Sequence, residues 1–245
     1  YGLGSNDDGA SLVTFLQVFY KICQSKQSYN TIFVASAEEE VSGKNGIESL
    51  MKHLPPVKCA IIGEPTGMQP AVAEKGLMVL DCVAKGVSGH AARNEGVNAI
   101  YNAMSDIEWF RNYKYPKSSE LFGDVKMTVT QVNAGTQHNV IPDSCSYVVD
   151  IRSNECYSNS ELLEIIKSHV KSDVKARSTR LNSSSISLEH PLVKRAIEMG
   201  RKPYGSPTLS NQALIDVPTL KMGPGDTARS HTANEYILVS EIREG

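Results

Sequence analysis

Residues 31–65 have the sequence TIFVASAEEEVSGKNGIESLMKHLPPVKCAIIGEP, and the pattern of this segment predicts the fold class. Two short apolar runs, residues 31–35 and 59–62, predict buried strands, and residues 46–53 between them predict a helix. The first run ends at three consecutive glutamates, and the second ends at Gly-Glu-Pro. A strand–helix–strand order predicts an open α/β sheet, and such sheets bind their ligands beyond the carboxyl ends of the strands.

The pattern on either side of this stretch predicts two domains. Upstream, apolar residues recur at helical spacing over residues 10–23 and predict an amphipathic helix. Downstream, a new set of elements has the order β-α-β-β-α-β, which is that of a ferredoxin-like split βαβ module; the predicted elements are residues 78–85, 98–113, 125–132, 147–151, 162–170 and 174–181. A helical pattern resumes after residue 187 and is followed by turn-rich loops and a final segment, residues 231–242.

The predicted fold class is therefore α/β. An open mixed sheet with flanking helices comprises residues 1–76 and 186–245, and a smaller ferredoxin-like domain, residues 77–185, is inserted into it.

Composition excludes several classes of function. The chain has 245 residues, with 25 Lys+Arg against 27 Asp+Glu, and its net charge of −2 gives no electrostatic basis for binding nucleic acid or an anionic membrane. No apolar run approaches the roughly 20 residues of a membrane-spanning helix. Five cysteines without paired spacing favour a reduced, cytoplasmic protein. Since the chain opens at Tyr1 without a methionine, we expect a preceding segment to be missing.

Acidic residues stand where the predicted helix begins and where the predicted strands end. Asp7 lies just before the first helix, Glu39 and Glu40 follow one strand, and Glu64 follows the next. Carboxylates that converge on one sheet edge repel one another unless a metal ion neutralises them. His231 would add a nitrogen ligand that suits zinc. Each residue also has an ordinary explanation, such as a helix cap, a solvated turn or a surface histidine, and both explanations stay open at this point.

Seven stretches resemble a known family in its own order and span nearly the whole chain. They are YGLGSNDDGA (1–10), ASAEEEVSGKNG (35–46), IIGEPTGMQPAVAEKG (61–76), GVSGHAAR (86–93), GTQHNVIPD (135–143), VVDIRS (148–153) and GPGDTARSHTANEYI (223–237). They resemble the zinc-dependent amidohydrolase family that contains acetylornithine deacetylase, succinyl-diaminopimelate desuccinylase, aminoacylase and carboxypeptidase G. Within it, the likeness is greatest to acetylornithine deacetylase and its acylcitrulline-cleaving relatives.

The resemblance implies a role for each residue of a two-zinc centre. Asp7 matches the aspartate that bridges both zinc ions, and Glu40 and His231 match the ligands of one of them. Glu64 matches a ligand of the other zinc ion, and Glu39 matches the general base. Cobalt or manganese would also suit such a donor set.

The inserted domain resembles the lid of this family, which is also its dimerisation domain. His90 matches a lid histidine that reaches the partner subunit's active site in dimeric members, where it would stabilise the oxyanion. Asn139 and Arg152 match residues near the substrate, and Arg152 would pair with its carboxylate. The resemblance therefore implies a homodimer.

Three departures from the family pattern affect these expectations. The His-x-Asp motif that precedes the bridging aspartate is absent, so one metal position lacks a ligand. Asp8-Gly9 replaces a lysine that often follows that aspartate, and Asn211 stands where an aspartate is frequent.

The function implied is removal of an acyl group from an N-acyl amino acid, N-acetylornithine or an N-acyl-citrulline, in arginine biosynthesis. The alternatives are a succinyl-diaminopimelate desuccinylase, a dipeptidase, or a non-catalytic homologue.

Overall fold

The computed structural model describes residues 1–245. In chain order the helices are α1 (Ala10–Cys23), α2 (Ile47–Met51), α3 (Ala99–Asn112), α4 (Asn159–His169), α5 (Pro191–Glu198) and α6 (Val239–Glu244). The strands are β1 (Ala60–Ile62), β2 (Ala71–Glu74), β3 (Gly76–Lys85), β4 (Gly89–His90), β5 (Lys126–Ala134), β6 (Val140–Ile141), β7 (Ser144–Ser153), β8 (Asp173–Ala176), β9 (Ser184–Ser185), β10 (Tyr204–Ser206) and β11 (Thr219–Lys221). The chain divides into two units, one of Tyr1–Glu74 with Ser184–Gly245 and one of Lys75–Ser183.

The first unit contains an open mixed sheet, as the sequence predicts. Its strand order is β1-β11-β2-β10, and β9 pairs with β2. The β1–β11 and β2–β10 pairs are parallel, whereas the β11–β2 and β2–β9 pairs are antiparallel. Its core contains the buried side chains of Val72, Ile186, Val193 and Leu220.

Helix α1 forms over the residues predicted for it and packs through its small side chains. Ala10, Ser11 and Thr14 are buried, while Leu12 and Val13 are more than a third exposed. The helix approaches the backbone so closely that a Cβ atom on Gly63 would lie 2.7 Å from the Cβ of Ser11. Glycine at position 63 therefore permits this contact.

The strand predicted over residues 31–35 does not form. The structure assigns no strand there, because no other strand pairs with these residues. A β-strand is completed by hydrogen bonds to a neighbour, and β1 pairs only with β11. The apolar run is instead an irregular segment that leads to Glu39 and Glu40.

The second unit is a four-stranded antiparallel sheet with two helices, which confirms the ferredoxin-like prediction. The strand order is β5-β7-β3-β8, and β3 and β7 pair over ten residues, from Gly76↔Ser153 to Lys85↔Ser144. Alternate residues of β3 are buried, and helices α3 and α4 contribute Phe110 and Leu162 to the same core. Strand β8 ends at Ala176, five residues before the predicted end. Strands β4 and β6 form a separate two-stranded ribbon.

No helix of the structure combines the length and the apolar character that crossing a membrane requires.

Candidate metal centre

A turn before helix α1 holds Asp7 in place. Asp7 lies in the π-helical turn Ser5–Gly9, where its own dihedral angles, φ −119° and ψ 93°, are not helical. The peptide bond between Asp7 and Asp8 is cis. The carboxylate of Glu235 accepts hydrogen bonds from the backbone N–H groups of Asn6 and Asp7, at 2.8 and 2.9 Å. The side chain of Asp7 is 16% exposed.

Three of the predicted ligands converge in the first unit. The His231 Nε2 atom lies 3.7 Å from Asp7 Oδ2 and 3.6 Å from Glu40 Oε2. One ligand atom from each of the three residues lies within 4.8 Å of the other two. The side chains of His231 and Glu40 are 69% and 57% exposed, so the group opens towards solvent.

Two further carboxylates adjoin this group and carry raised pKa values. Burial, and then the charges of Glu40, Asp8 and Asp7, raise the pKa of Glu39 to about 7. Burial, and then the charges of Asp7 and Glu40, raise the pKa of Asp8 to about 6. Both pKa values rise for the same two reasons, burial of the carboxylate and repulsion by neighbouring carboxylates.

Glu64 is not a member of the three-residue group, but the charge of Asp7 affects its pKa. It follows β1 and lines a small cavity together with Tyr204, Thr208 and Lys221. Burial raises the pKa of Glu64 well above its ordinary range, Lys221 opposes that rise, and the charges of Glu39 and Asp7 add to it. The structure therefore places Glu64 beside the cluster without bringing its oxygens into the same set.

The donor set fits a divalent metal ion. Two carboxylates and an imidazole are ligands that zinc accepts, and they stand close enough to share one ion. The neighbouring carboxylates leave a local surplus of negative charge, which a cation would compensate.

The residues assigned to the lid lie in the second unit. His90 is exposed on β4, and its Nδ1 accepts a hydrogen bond from the N–H of Ala92 at 3.1 Å. Asn139 is exposed, and its carbonyl oxygen accepts from the N–H of Ala91. On β7, Arg152 donates from Nε and Nη2 to the two carboxylate oxygens of Asp150, at 2.8 and 3.0 Å.

Sequence reasoning missed Glu235. Its side chain is 1% exposed, and its partners lie near the start of the chain, 228 to 231 positions away. It lies within a stretch that carries the family resemblance, TARSHTANEYI, but nothing in that stretch shows that its carboxylate is buried.

Known proteins match both units. The model of the peptidase dimerisation domain of M20 peptidases matches residues 72–178. An acetylornithine deacetylase of Pectobacterium carotovorum is 27% identical over 264 residues, covering 99% of this chain and 68% of the relative. A LysW-lysine/LysW-ornithine hydrolase of Sulfurisphaera tokodaii is 26% identical over 255 residues, covering 99% and 70%. A succinyl-diaminopimelate desuccinylase of Rickettsia bellii is 24% identical over 274 residues, covering 100% and 70%.

A solved structure shares the fold over nearly all of the chain. The YXEP protein of Bacillus subtilis, described as a dinuclear metal-binding peptidase from the M20 family, has a TM-score of 0.68 and 16% identity. The match covers 96% of this chain and 67% of that one. Residues 72–178 match the M20 peptidase dimerisation domain, and nearly the whole chain is similar to enzymes and solved structures of the M20 type. At that level it is a hydrolase that acts on amide bonds.

Proposed function

We propose that this protein removes the acyl group from the α-nitrogen of an N-acyl amino acid, N-acetylornithine or an N-acyl-citrulline, in arginine biosynthesis. The observation that carries the proposal is the convergence of Asp7, Glu40 and His231 beside the half-buried Glu39. The 27% identity to an acetylornithine deacetylase supports the choice of substrate.

Zinc is the proposed metal, with two ions per site, and when bound it would polarise the amide carbonyl and lower the pKa of a water molecule. In this proposal Asp7, Glu40 and His231 would hold one ion, and Asp7 and Glu64 would contribute to the second position. Glu39 accepts the proton of the attacking water and delivers it to the leaving amine. Glu39 is half-buried beside Asp7 and Glu40, which places its carboxylate next to the proposed metal ligands.

The second unit supplies the proposed substrate contacts. Asp150 uses two of the five N–H donors of Arg152, which leaves three for the carboxylate of a substrate. Asn139 and His90 are proposed to contact the substrate, with His90 stabilising the oxyanion. The match to the peptidase dimerisation domain supports a homodimer formed through this unit. The molar mass in solution, measured by light scattering, tests this part of the proposal.

The test of the reaction is a substrate panel on the zinc-loaded protein. The panel comprises N-acetylornithine, N-acetylcitrulline, N-succinylcitrulline, succinyl-diaminopimelate and a dipeptide. We expect turnover of an acetylated or succinylated precursor of arginine, and loss of that turnover in Glu39→Gln. Glu38→Gln is the matched control, because the Glu38 carboxylate instead accepts hydrogen bonds from Asn45. A zinc-loaded protein that leaves every acyl amino acid intact would contradict the proposal and favour a non-catalytic homologue.

A succinyl-diaminopimelate desuccinylase is the second candidate. It is favoured by the Rickettsia relative, whose 24% identity is close to that of the deacetylase. Acetyl and succinyl substrates differ only in the acyl pocket, so turnover of succinyl-diaminopimelate alone would select this candidate. Cleavage of the dipeptide alone would select a dipeptidase.

A further inference from the structure

The turn that carries Asp7 directs its backbone donors at one buried carboxylate. Glu235 Oε1 accepts from the N–H groups of Asn6 and Asp7, at 2.8 and 2.9 Å, and Oε2 accepts from the N–H of Gly4 at 3.2 Å. The backbone carbonyl of Glu235 also accepts from the N–H of Gly2 at 2.9 Å. Four N–H groups at the start of the chain are therefore satisfied by this single residue.

A second link joins the same turn to the loop before His231. The side chain of Asn6 is fully buried, donates to the carbonyl of Asp226 at 3.1 Å and accepts from the N–H of Asp226 at 3.1 Å. His231 follows Asp226 by five positions and precedes Glu235 by four. Hydrogen bonds thus join the turn of Asp7 to the loop of His231 at two positions, Asp226 before the histidine and Glu235 after it.

Burial of a carboxylate is unfavourable unless hydrogen bonds compensate it. Hydrogen bonds from N–H groups to an ionised acceptor are shorter and stronger than those between neutral groups, so they fix geometry as well as supplying stability. Within the π-helical turn, Asp7 and Asp8 have non-helical dihedral angles, and the N–H groups of Asn6 and Asp7 find their acceptor in Glu235. The Glu235 carboxylate therefore holds the backbone at Asn6 and Asp7 in its observed position.

We infer that Glu235 is a positioning residue of the metal centre: its buried carboxylate fixes the Asp7 turn against the His231 loop and so sets the spacing of these two ligands. The inference rests on the metal centre proposed above. Glu235 itself lies behind the turn, hydrogen-bonded to its backbone, and is not a ligand in this scheme.

Two substitutions give a graded test. Glu235→Gln keeps the acceptor oxygen for Asn6 and Asp7 but turns an amide NH₂ towards the N–H of Gly4, whereas Glu235→Leu removes every acceptor. Partners behind metal ligands are worth about 10- to 100-fold in metal affinity. We therefore expect the dissociation constant for Co²⁺ to rise about 10-fold in the glutamine variant and about 100-fold in the leucine variant.

The measurement is a Co²⁺ titration against a chromophoric chelator, with the visible absorption spectrum of the bound Co²⁺ as the second readout. A change in ligand spacing alters that spectrum, while a general loss of stability in a protein that is still folded does not. Circular dichroism establishes that each variant is folded. Asp106→Asn is the matched control, because Asp106 is also a buried carboxylate, accepts from the N–H groups of Lys171 and Ser172, and lies in the other unit.

The outcomes separate the two proposals. If the unsubstituted protein binds no Co²⁺, the metal centre itself is wrong. If it binds Co²⁺ and the folded Glu235→Gln variant keeps the same affinity within twofold and the same spectrum, the metal centre stands and the role of Glu235 is overturned. If Glu235→Leu fails to fold, the glutamine variant decides the question alone. Weaker binding and an altered spectrum in the Glu235 variants, with neither change in Asp106→Asn, support the inference.

Discussion

Substitution of Glu40 by glutamine is expected to change stability in opposite directions with and without metal. In the metal-free protein, one oxygen of Glu40 and one of Asp7 lie within 4.8 Å of each other. Two like charges at that distance repel by about 1 kcal/mol in bulk water and by about 3 kcal/mol at an effective dielectric constant of about 20. The Glu40 side chain is 57% exposed, so solvent screening places the repulsion near the lower figure.

Glu40→Gln should therefore raise the free energy of unfolding of the metal-free protein by about 1 kcal/mol. With zinc present, we expect the parent to be more stable than Glu40→Gln. A ligand at 100 times its dissociation constant stabilises the folded state by about 2.7 kcal/mol, and Glu40→Gln should lose most of that gain because it loses a charged ligand.

The assay is urea unfolding followed by circular dichroism at pH 8, above the ordinary titration range of imidazole, once in chelator and once in zinc. Glu198→Gln is the control, because Glu198 lies on the exposed side of α5, where it pairs with Arg195. We expect the control to change stability by less than about 0.5 kcal/mol in both conditions. Charge repulsion at the cluster is ruled out if Glu40→Gln is less stable than the parent in chelator. The metal-ligand role of Glu40 is ruled out if zinc stabilises Glu40→Gln as much as it stabilises the parent.

Three further predictions follow from the same structure. Glu39→Gln should lower kcat for the best substrate of the panel by about 10²- to 10⁴-fold while the zinc affinity stays within a few-fold, as steady-state kinetics and a zinc titration would measure. Removal of metal by dialysis against a chelator should abolish hydrolysis, and added zinc or cobalt should restore it; activity that survives in metal-free protein would speak against a metal-dependent reaction. Asp106→Asn should lower the free energy of unfolding by about 1 to 3 kcal/mol, because the N–H groups of Lys171 and Ser172 lose their charged acceptor, and should leave kcat unchanged.

The fold could be predicted from the sequence where local pattern determines structure. The apolar spacing of residues 10–23 and the alternation over residues 125–132 depend on near neighbours, and a helix and a strand form there. The prediction was wrong at residues 31–35, because a strand also needs a partner, and a β-branched run does not show whether one is available. The short strands β2 and β11 were missed for the converse reason, since pairing within the sheet defines them more than their own residues do.

For the candidate site, the sequence indicates which residues take part, whereas their long-range contacts are seen only in the structure. Residue type and family likeness pointed to Asp7, Glu40 and His231, and the structure brings these three together, although their roles stay predictions. The hydrogen bonds of Glu235 could not be predicted, because burial and contact over more than 200 residues leave no local trace in the chain. The raised pKa of Glu39 could not be predicted either, because it depends on burial and on charges that include those of another segment.

The separation of Asp7 from its partners along the chain has a consequence for biosynthesis. The second unit, Lys75–Ser183, is continuous in sequence, whereas the first unit is completed only by residues after it. Domains generally fold as units while the ribosome still extends the chain. The inserted unit can therefore fold before the group of proposed ligands is complete. More than 220 residues are synthesised between Asp7 and its partners His231 and Glu235. If the proposed metal centre is correct, its three ligands are complete only in a chain that extends beyond position 231.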